Sequence, residues 1–310
     1  MKPEPKNIPD LVSIIYASYN RKNDLLNALR DIQHQTYQNL EIIVVDNGST
    51  DGTAEAIKTQ YPSLHLIELE ENLGCPSGRN VGMRVASGEF IATLDDDAEL
   101  EPTAIEKAVN LLKKHPDVAI VTGKVINTES NQAEYWQFNS DPAYMDKYFF
   151  TYYFGELCSL LRKSALDQVG LYPDNFFRQS ENRDLGNRIL DAGYKILYFP
   201  DFLVFHNGGS KSLLEYYYEY RNKLFIYIKQ YHIRRIFFLS IPLSCLYFYR
   251  FLKYRQPLLI FKAWKDLINE WPVLMNERRV LRNTTIKNIN QLKKYVHNLP
   301  RYYSKVSFKP

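Results

Sequence analysis

From residue 11 to about residue 122, short and almost purely apolar runs alternate with segments whose apolar residues recur at helical spacing. Leu11–Tyr16, Leu40–Val45, Leu64–Leu69 and Phe90–Leu94 have strand length. Between them Leu25, Leu26, Leu29 and Ile32 mark one helix face, and further helices are expected over Ala54–Tyr61 and Arg79–Ala86, the latter stopped by Gly88. Pro102 and Thr103 open another, with Glu106 placed to complete a capping box. Strands this apolar are buried on both faces. The pattern therefore predicts an α/β fold with a largely parallel sheet covered by helices on each side.

In such sheets ligands bind outside the carboxyl ends of the strands. The first strand delivers Ala17-Ser18-Tyr19-Asn20-Arg21 there, and the second delivers Asp46-Asn47-Gly48-Ser49-Thr50-Asp51. The third ends in Glu71-Asn72-Leu73-Gly74 and the fourth in Asp95-Asp96-Asp97. Turns are made of such residues anyway, but four polar ends on one edge point to a polar ligand. Three adjacent carboxylates behind a buried strand repel one another, and a cation among them relieves that repulsion.

The net charge of +4 conceals two regimes. Residues 221–310 hold 19 Lys/Arg against three acids, which leaves 20 Lys/Arg against 32 acids for residues 1–220. An acidic body is joined to a basic extension rich in Tyr and Phe. Cys75, Cys158 and Cys245 are too few and too scattered for a disulfide framework or a zinc site, which favours a reducing compartment. Residues 1–10 are polar and proline-rich and are expected to be a disordered tail, without the apolar core of a signal peptide.

Taken together, Val12–Arg21, Leu40–Thr53, Asn72–Gly82 and Leu94–Asp97 with Pro102 resemble the family 2 glycosyltransferases of the GT-A fold, over roughly residues 11–207. The resemblance implies a nucleotide-sugar donor of UDP, dTDP or GDP type, a divalent cation (Mn²⁺ or Mg²⁺) and inversion at the anomeric carbon. It places the nucleotide-binding half at 11–122, the acceptor half at 123–210 and a helical extension at 211–310. Asp95 and Asp97 match the D-x-D pair, with Asp97 a metal ligand, Asp95 near the donor ribose and metal, and Asp96 sharing either task. Asp46 and Asn47 match positions that meet the base, and Ser18, Tyr19, Asn20 and Arg21 would wall its pocket. Arg79 is a diphosphate or base contact, or a solvated helix arginine. His206, after Phe202–Phe205 and before Asn207-Gly208-Gly209, would complete the metal shell.

An inverting transfer also needs a carboxylate to take the acceptor's proton. The segment Glu181-Asn182-Arg183-Asp184-Leu185 resembles the family's E-D-x-D-L or E-E-x-D-L, whose second acid is the base. Here that position is Asn182, and an amide cannot accept a proton near neutral pH. Glu181, or failing it Asp184, is expected to serve. The alternative is a non-catalytic relative that binds a nucleotide-sugar or a glycan. A sugar-phosphate nucleotidyltransferase would require a glycine-rich loop where Ala17–Arg21 stands.

The aromatic stretch 127–154 (Tyr135, Trp136, Phe138, Tyr144, Tyr148, Phe149, Phe150) can stack on sugars or form a subdomain core. Between Arg221 and Lys265 there are ten Lys/Arg and no acid, around the uncharged run Ile236–Tyr249 that Pro242 is expected to interrupt. That composition suits a segment lying on anionic lipid, from the cytoplasmic side, or else a core helix hairpin with a solvated basic face. No nucleic-acid recognition motif accompanies the charge. The expected acceptor is a glycan or lipid-linked saccharide in surface-polysaccharide synthesis.

Overall fold

The computed structural model describes residues 7–134, 141–207 and 211–310. Ten strands form one sheet: β1 (Ile8–Ser18), β2 (Leu40–Asp46), β3 (His65–Glu68), β4 (Gly88–Leu94), β5 (Ala98–Leu100), β6 (Val118–Asn127), β7 (Gln132–Ala133), β8 (Phe149–Thr151), β9 (Ser159–Arg162) and β10 (Lys195–His206). The helices are α1 (Lys22–Asp31), α2 (Thr53–Gln60), α3 (Cys75–Val85), α4 (Ala104–Lys114), α5 (Lys163–Val169) and α6 (Glu181–Asp191), followed by α7 (Leu213–Gln230), α8 (Ile233–Lys253), α9 (Leu259–Asn269), α10 (Trp271–Asn276), α11 (Asn283–Val296) and α12 (Leu299–Val306).

The sheet runs β3-β2-β1-β4-β9-β6-β10-β5, with β7 on β6 and β8 on β10. β3, β2, β1 and β4 are mutually parallel, as the apolar runs predict, whereas β9 is antiparallel to both β4 and β6. Side chains alternate across the sheet. Ile14, Tyr16 and Phe90 enter a core under α1 and α4, while Ile15, Ile43 and Ile91 enter one under α3, α5 and α6. The carboxyl-terminal helices belong to the second core, since Phe225, Ile226, Leu267, Leu274 and Ile286 pack into it. Burial of that many apolar side chains, at roughly 1.5–3 kcal/mol each, fixes the extension to the sheet.

Three expectations are corrected. Residues 8–10 are strand rather than tail: the Ile8 N–H donates to the Ser87 carbonyl at 2.8 Å and the Asp10 N–H to Glu89 at 3.0 Å. Thr103 precedes α4 without a side-chain cap, because its hydroxyl donates to Glu101 and Glu106 accepts from Thr36 at 2.7 Å. Pro242 does not interrupt α8, which is continuous for 21 residues. The carbonyl it frees is that of Phe238, on the helix's exposed side where water can serve it.

Of the aromatic stretch, Phe149 is buried and stacks on Tyr198 at 4.7 Å in a third core beneath α11 and α12. It is subdomain core rather than sugar platform. Tyr135, Trp136 and Phe138, like Gly208 and Gly209, lie outside the described residues.

Candidate active site

A cleft of ≈ 990 Å³ opens at the carboxyl ends of β1, β2 and β4 and is closed on its far side by the start of α6, by α7 and by the end of α11. Its floor depends on the turn before α3. Gly74 has φ 85° there, and a Cβ would stand 2.2 Å from the Phe177 carbonyl oxygen, so only glycine fits. Buried Asn47 holds this turn, accepting from the Leu73 N–H at 3.0 Å and donating to the Gly74 carbonyl at 3.1 Å. α3 thereby begins at Cys75, one turn before Arg79, and carries that guanidinium into the cleft at 3% exposure. Arg79 is thus no solvated surface arginine.

The three aspartates are held apart by different partners. Asp95 pairs with Arg79. Asp96 accepts from the Ser18 hydroxyl at 2.6 Å and lies 3.3 Å from Arg21, yet burial, with help from the neighbouring carboxylates, raises its pKa to about 6. Asp97 pairs with Arg21 at 2.8 Å and faces His206 Nε2 at 3.6 Å. Burial opposes its ionisation, but His206 and Arg21 outweigh it and hold Asp97 at about 2. The Asp97 carboxylate in turn raises His206. At 3.6 Å the two do not hydrogen-bond, and Asp97 Oδ1 and His206 Nδ1 are both buried without a hydrogen-bond partner.

A second acidic group lies across Arg79. Glu181 Oε1 is 4.0 Å from Arg79 Nη1, and its Oε2 is buried with no hydrogen bond. Beside it is Glu156, which precedes β9. Glu156 Oε1 accepts from the Asn182 N–H at 2.9 Å and Oε2 from the Asn182 amide at 3.2 Å. Burial raises both carboxyls, with Glu181 pushing Glu156 further up and Arg79 restraining Glu181. Asn182 thus serves as the clamp of a neighbouring acid. Asp184 is not in the cleft wall. It is 0% exposed, pairs with Arg188 at 2.8 Å and accepts from Gln230 at 2.8 Å.

Tyr19, Arg21, Asn47, Arg79, Asp95, Asp96, Asp97, Glu181 and His206 therefore share one cleft. Ser18, Asn20 and Asp46 stand behind its wall: Asn20 accepts from the Thr50 N–H at 2.7 Å, and Asp46 from the Ser49 N–H at 3.0 Å. Glu156 escaped sequence reasoning, although a lone acid after Gly155 and before the run Leu157-Cys-Ser-Leu-Leu161 was a signal. Tyr152 and Tyr153, which also line the cleft, were hidden among other aromatics.

The parallel β3-β2-β1-β4 half, the antiparallel β9 insertion and the acid-lined cleft at the strand ends define a GT-A type α/β protein. The sequence profile described as glycosyl transferase family 2 matches residues 13–170, and the chain belongs to that family. Glycosyltransferase GlyG of Streptococcus pneumoniae is 31% identical over 130 residues, covering 41% of this chain and 43% of its own. The amylovoran biosynthesis glycosyltransferase AmsE of Erwinia amylovora is 24% identical over 209 residues, 64% of this chain and 77% of that one. The chain thus spans less than half the length of GlyG that it matches. Among solved structures, the mannosyltransferase PcManGT of Pyrobaculum calidifontis, in complex with GDP-Man and Mn²⁺, superposes with a TM-score of 0.58 at 18% identity, over 95% of this chain and 87% of that one. Residues 1–349 of TarS from S. aureus give 0.58 at 16%, over 94% and 93%.

Proposed function

We propose that this chain is an inverting, metal-dependent glycosyltransferase that moves a sugar from a nucleotide-sugar to a hydroxyl of a glycan or lipid-linked acceptor, working in surface-polysaccharide synthesis at the inner face of the membrane. One observation carries the reading: beyond the end of β4 the buried Asp97 Oδ1, without a hydrogen bond, faces His206 at 3.6 Å. Among the described residues no group of three His, Cys, Asp or Glu stands ready to hold an ion, so the protein alone offers two donors. Carboxylate oxygen and imidazole suit Mn²⁺ or Mg²⁺, with donor phosphate oxygens filling other positions. The residues fit, and Asp97 and His206 would hold the ion, with Asp95 beside it. Bound there, a divalent cation would neutralise the charge that develops on the departing nucleoside diphosphate.

The chain's own groups supply the rest. Arg21 lies against Asp96 and Asp97 and balances their charge while no ion is bound. Tyr19 and Asn47 line the pocket for the base. Glu181, ionised beside Arg79, takes the proton from the acceptor hydroxyl as that oxygen attacks the anomeric carbon. Glu156, fixed by Asn182, is the acid with which Glu181 shares its titration.

The test is calorimetric titration with UDP, GDP and dTDP, each with and without Mn²⁺. We expect one nucleotide to bind at least tenfold more tightly with the metal, and Asp97→Asn to abolish that gain. Metal-independent binding would remove the metal from the mechanism. No binding at all would remove the transferase.

A further inference from the structure

The cleft has two electrostatic sides. Opposite the carboxylates, its helical side is lined by Arg178, Arg183, Lys211, Lys223 and Lys293. Arg178 pairs with Glu215 at 3.0 Å, and Lys223 and Lys211 share Glu219 at 2.5 and 3.3 Å. Arg183 and Lys293 remain. Among the described residues neither side chain has a hydrogen bond or an ion pair. Arg183 is half-buried in the first turn of α6, while Lys293 is an exposed residue of α11 at the rim of the cleft. Burial and then Arg183 push the Lys293 ammonium down. Lys223 is also lowered by burial, with Arg183 and Lys211 working against Glu219.

Arg183 and Lys293 repel each other and have no carboxylate partner among the described residues, and their combined field suits an anion. The first turn of α6 meets the cleft end-on, so Glu181 and Arg183 both line it although they leave the helix on different sides. We propose that Arg183 and Lys293, with Lys223, form an anion subsite that holds a phosphate or diphosphate group borne by the acceptor. The same turn then presents Glu181 to the acceptor's hydroxyl and Arg183 to its phosphate. That the anion belongs to an acceptor rests on the transferase reading; that the site binds phosphate does not.

The test is calorimetric titration with inorganic pyrophosphate and with geranyl diphosphate, in EDTA, of the full chain and of Arg183→Gln, Lys293→Gln and Asp97→Asn. We expect saturable binding without metal, at least tenfold weaker in Arg183→Gln and Lys293→Gln and unchanged in Asp97→Asn. The two replaced cations have no hydrogen-bond or ion-pair partner among the described residues, so both variants should melt with the wild type. Equal affinity for the two probes would point to a soluble phosphate-bearing saccharide, and tenfold preference for the geranyl compound to a lipid diphosphate; either supports the subsite. No binding in EDTA, undiminished binding by Arg183→Gln, or loss in Asp97→Asn would overturn it. If metal-dependent nucleotide binding fails while pyrophosphate binding behaves as expected, the transferase reading falls and the subsite stands.

Discussion

At the scale of residues, Asn182 and Glu156 are best understood as one feature. An amide where relatives carry an acid would leave the cleft short of a base, but here the Asn182 backbone N–H and its side-chain amide both donate to Glu156, the amide donating also to the Phe154 carbonyl. The result is two neighbouring carboxyls raised by burial, Glu156 further by Glu181, and Glu181 by Asp95 against the restraint of Arg79. A base works when ionised, so raised pKa values place the acidic limb of the rate profile above the ordinary glutamate range. Glu156→Gln removes the like charge. It should cost about tenfold in kcat, while Glu181→Gln should cost on the order of 10²–10⁴-fold. The donor KM should change little in either. Asn182→Asp exchanges a donor for a third carboxylate, so it should lower activity and move the limb up. These profiles are read by steady-state transfer at pH 5–9. A large gain in Asn182→Asp would instead mark Asn182 as a lesion.

At the scale of elements, Asp184 has a structural task. It joins α6 to α7 through Gln230 and, at 3.7 Å, Lys229, and pairs within α6 with Arg188, with no exposed surface of its own. Removing one member of such a buried network strands the others, at a cost of about 3–5 kcal/mol. Asp184→Ala should therefore lower the denaturation midpoint sharply, while kcat per folded molecule stays within about threefold of wild type. An intact midpoint with lost turnover would return Asp184 to the list of bases. The same helix shows what the sequence could reveal. Leu185, Ile189 and Leu190 announced its buried face by spacing alone, and the apolar runs announced β1 to β4 with their polar ends. Local pattern does not report which acid faces which. Glu156 and Asn182 are 26 residues apart and meet only because β9 runs antiparallel between β4 and β6. The cap expected at Thr103 failed for a like reason, since Thr36, 70 residues away, claims Glu106.

At the scale of the molecule, the basic extension has two faces with different fates. Toward the body, Tyr247 and Phe251 of α8 pack on Tyr220 of α7, whose own Glu215, Glu219 and Lys223 line the cleft. Away from it, Phe237, Phe238, Ile241, Phe248 and Leu252 follow one another at helical spacing and are exposed, Phe238 to 81%. Leu258 and Phe261 continue the surface at 72% and 65%. α8 is long and apolar enough to cross a membrane by length and composition, but its buried side is bound to α7, which suits a helix lying in the headgroup layer. Arg234 and Arg235 precede the apolar stripe in the chain and Lys253 and Arg255 follow it, while Arg250 lies over the Tyr216 and Tyr247 rings; basic groups near anionic lipid contribute about 1 kcal/mol each. The protein should therefore sediment with vesicles containing phosphatidylglycerol at low salt and be released progressively as salt rises. Neutral phosphatidylcholine vesicles should retain at least tenfold less. The triple variant Phe238→Ser, Ile241→Ser, Phe261→Ser should lose most of the binding at any salt, because insertion supplies the part that screening cannot remove. Arg234→Gln with Arg235→Gln should mainly flatten the salt dependence. Full recovery in the supernatant with anionic vesicles, together with a dimer in solution that the triple variant dissolves, would show that a second copy of the chain covers this face instead.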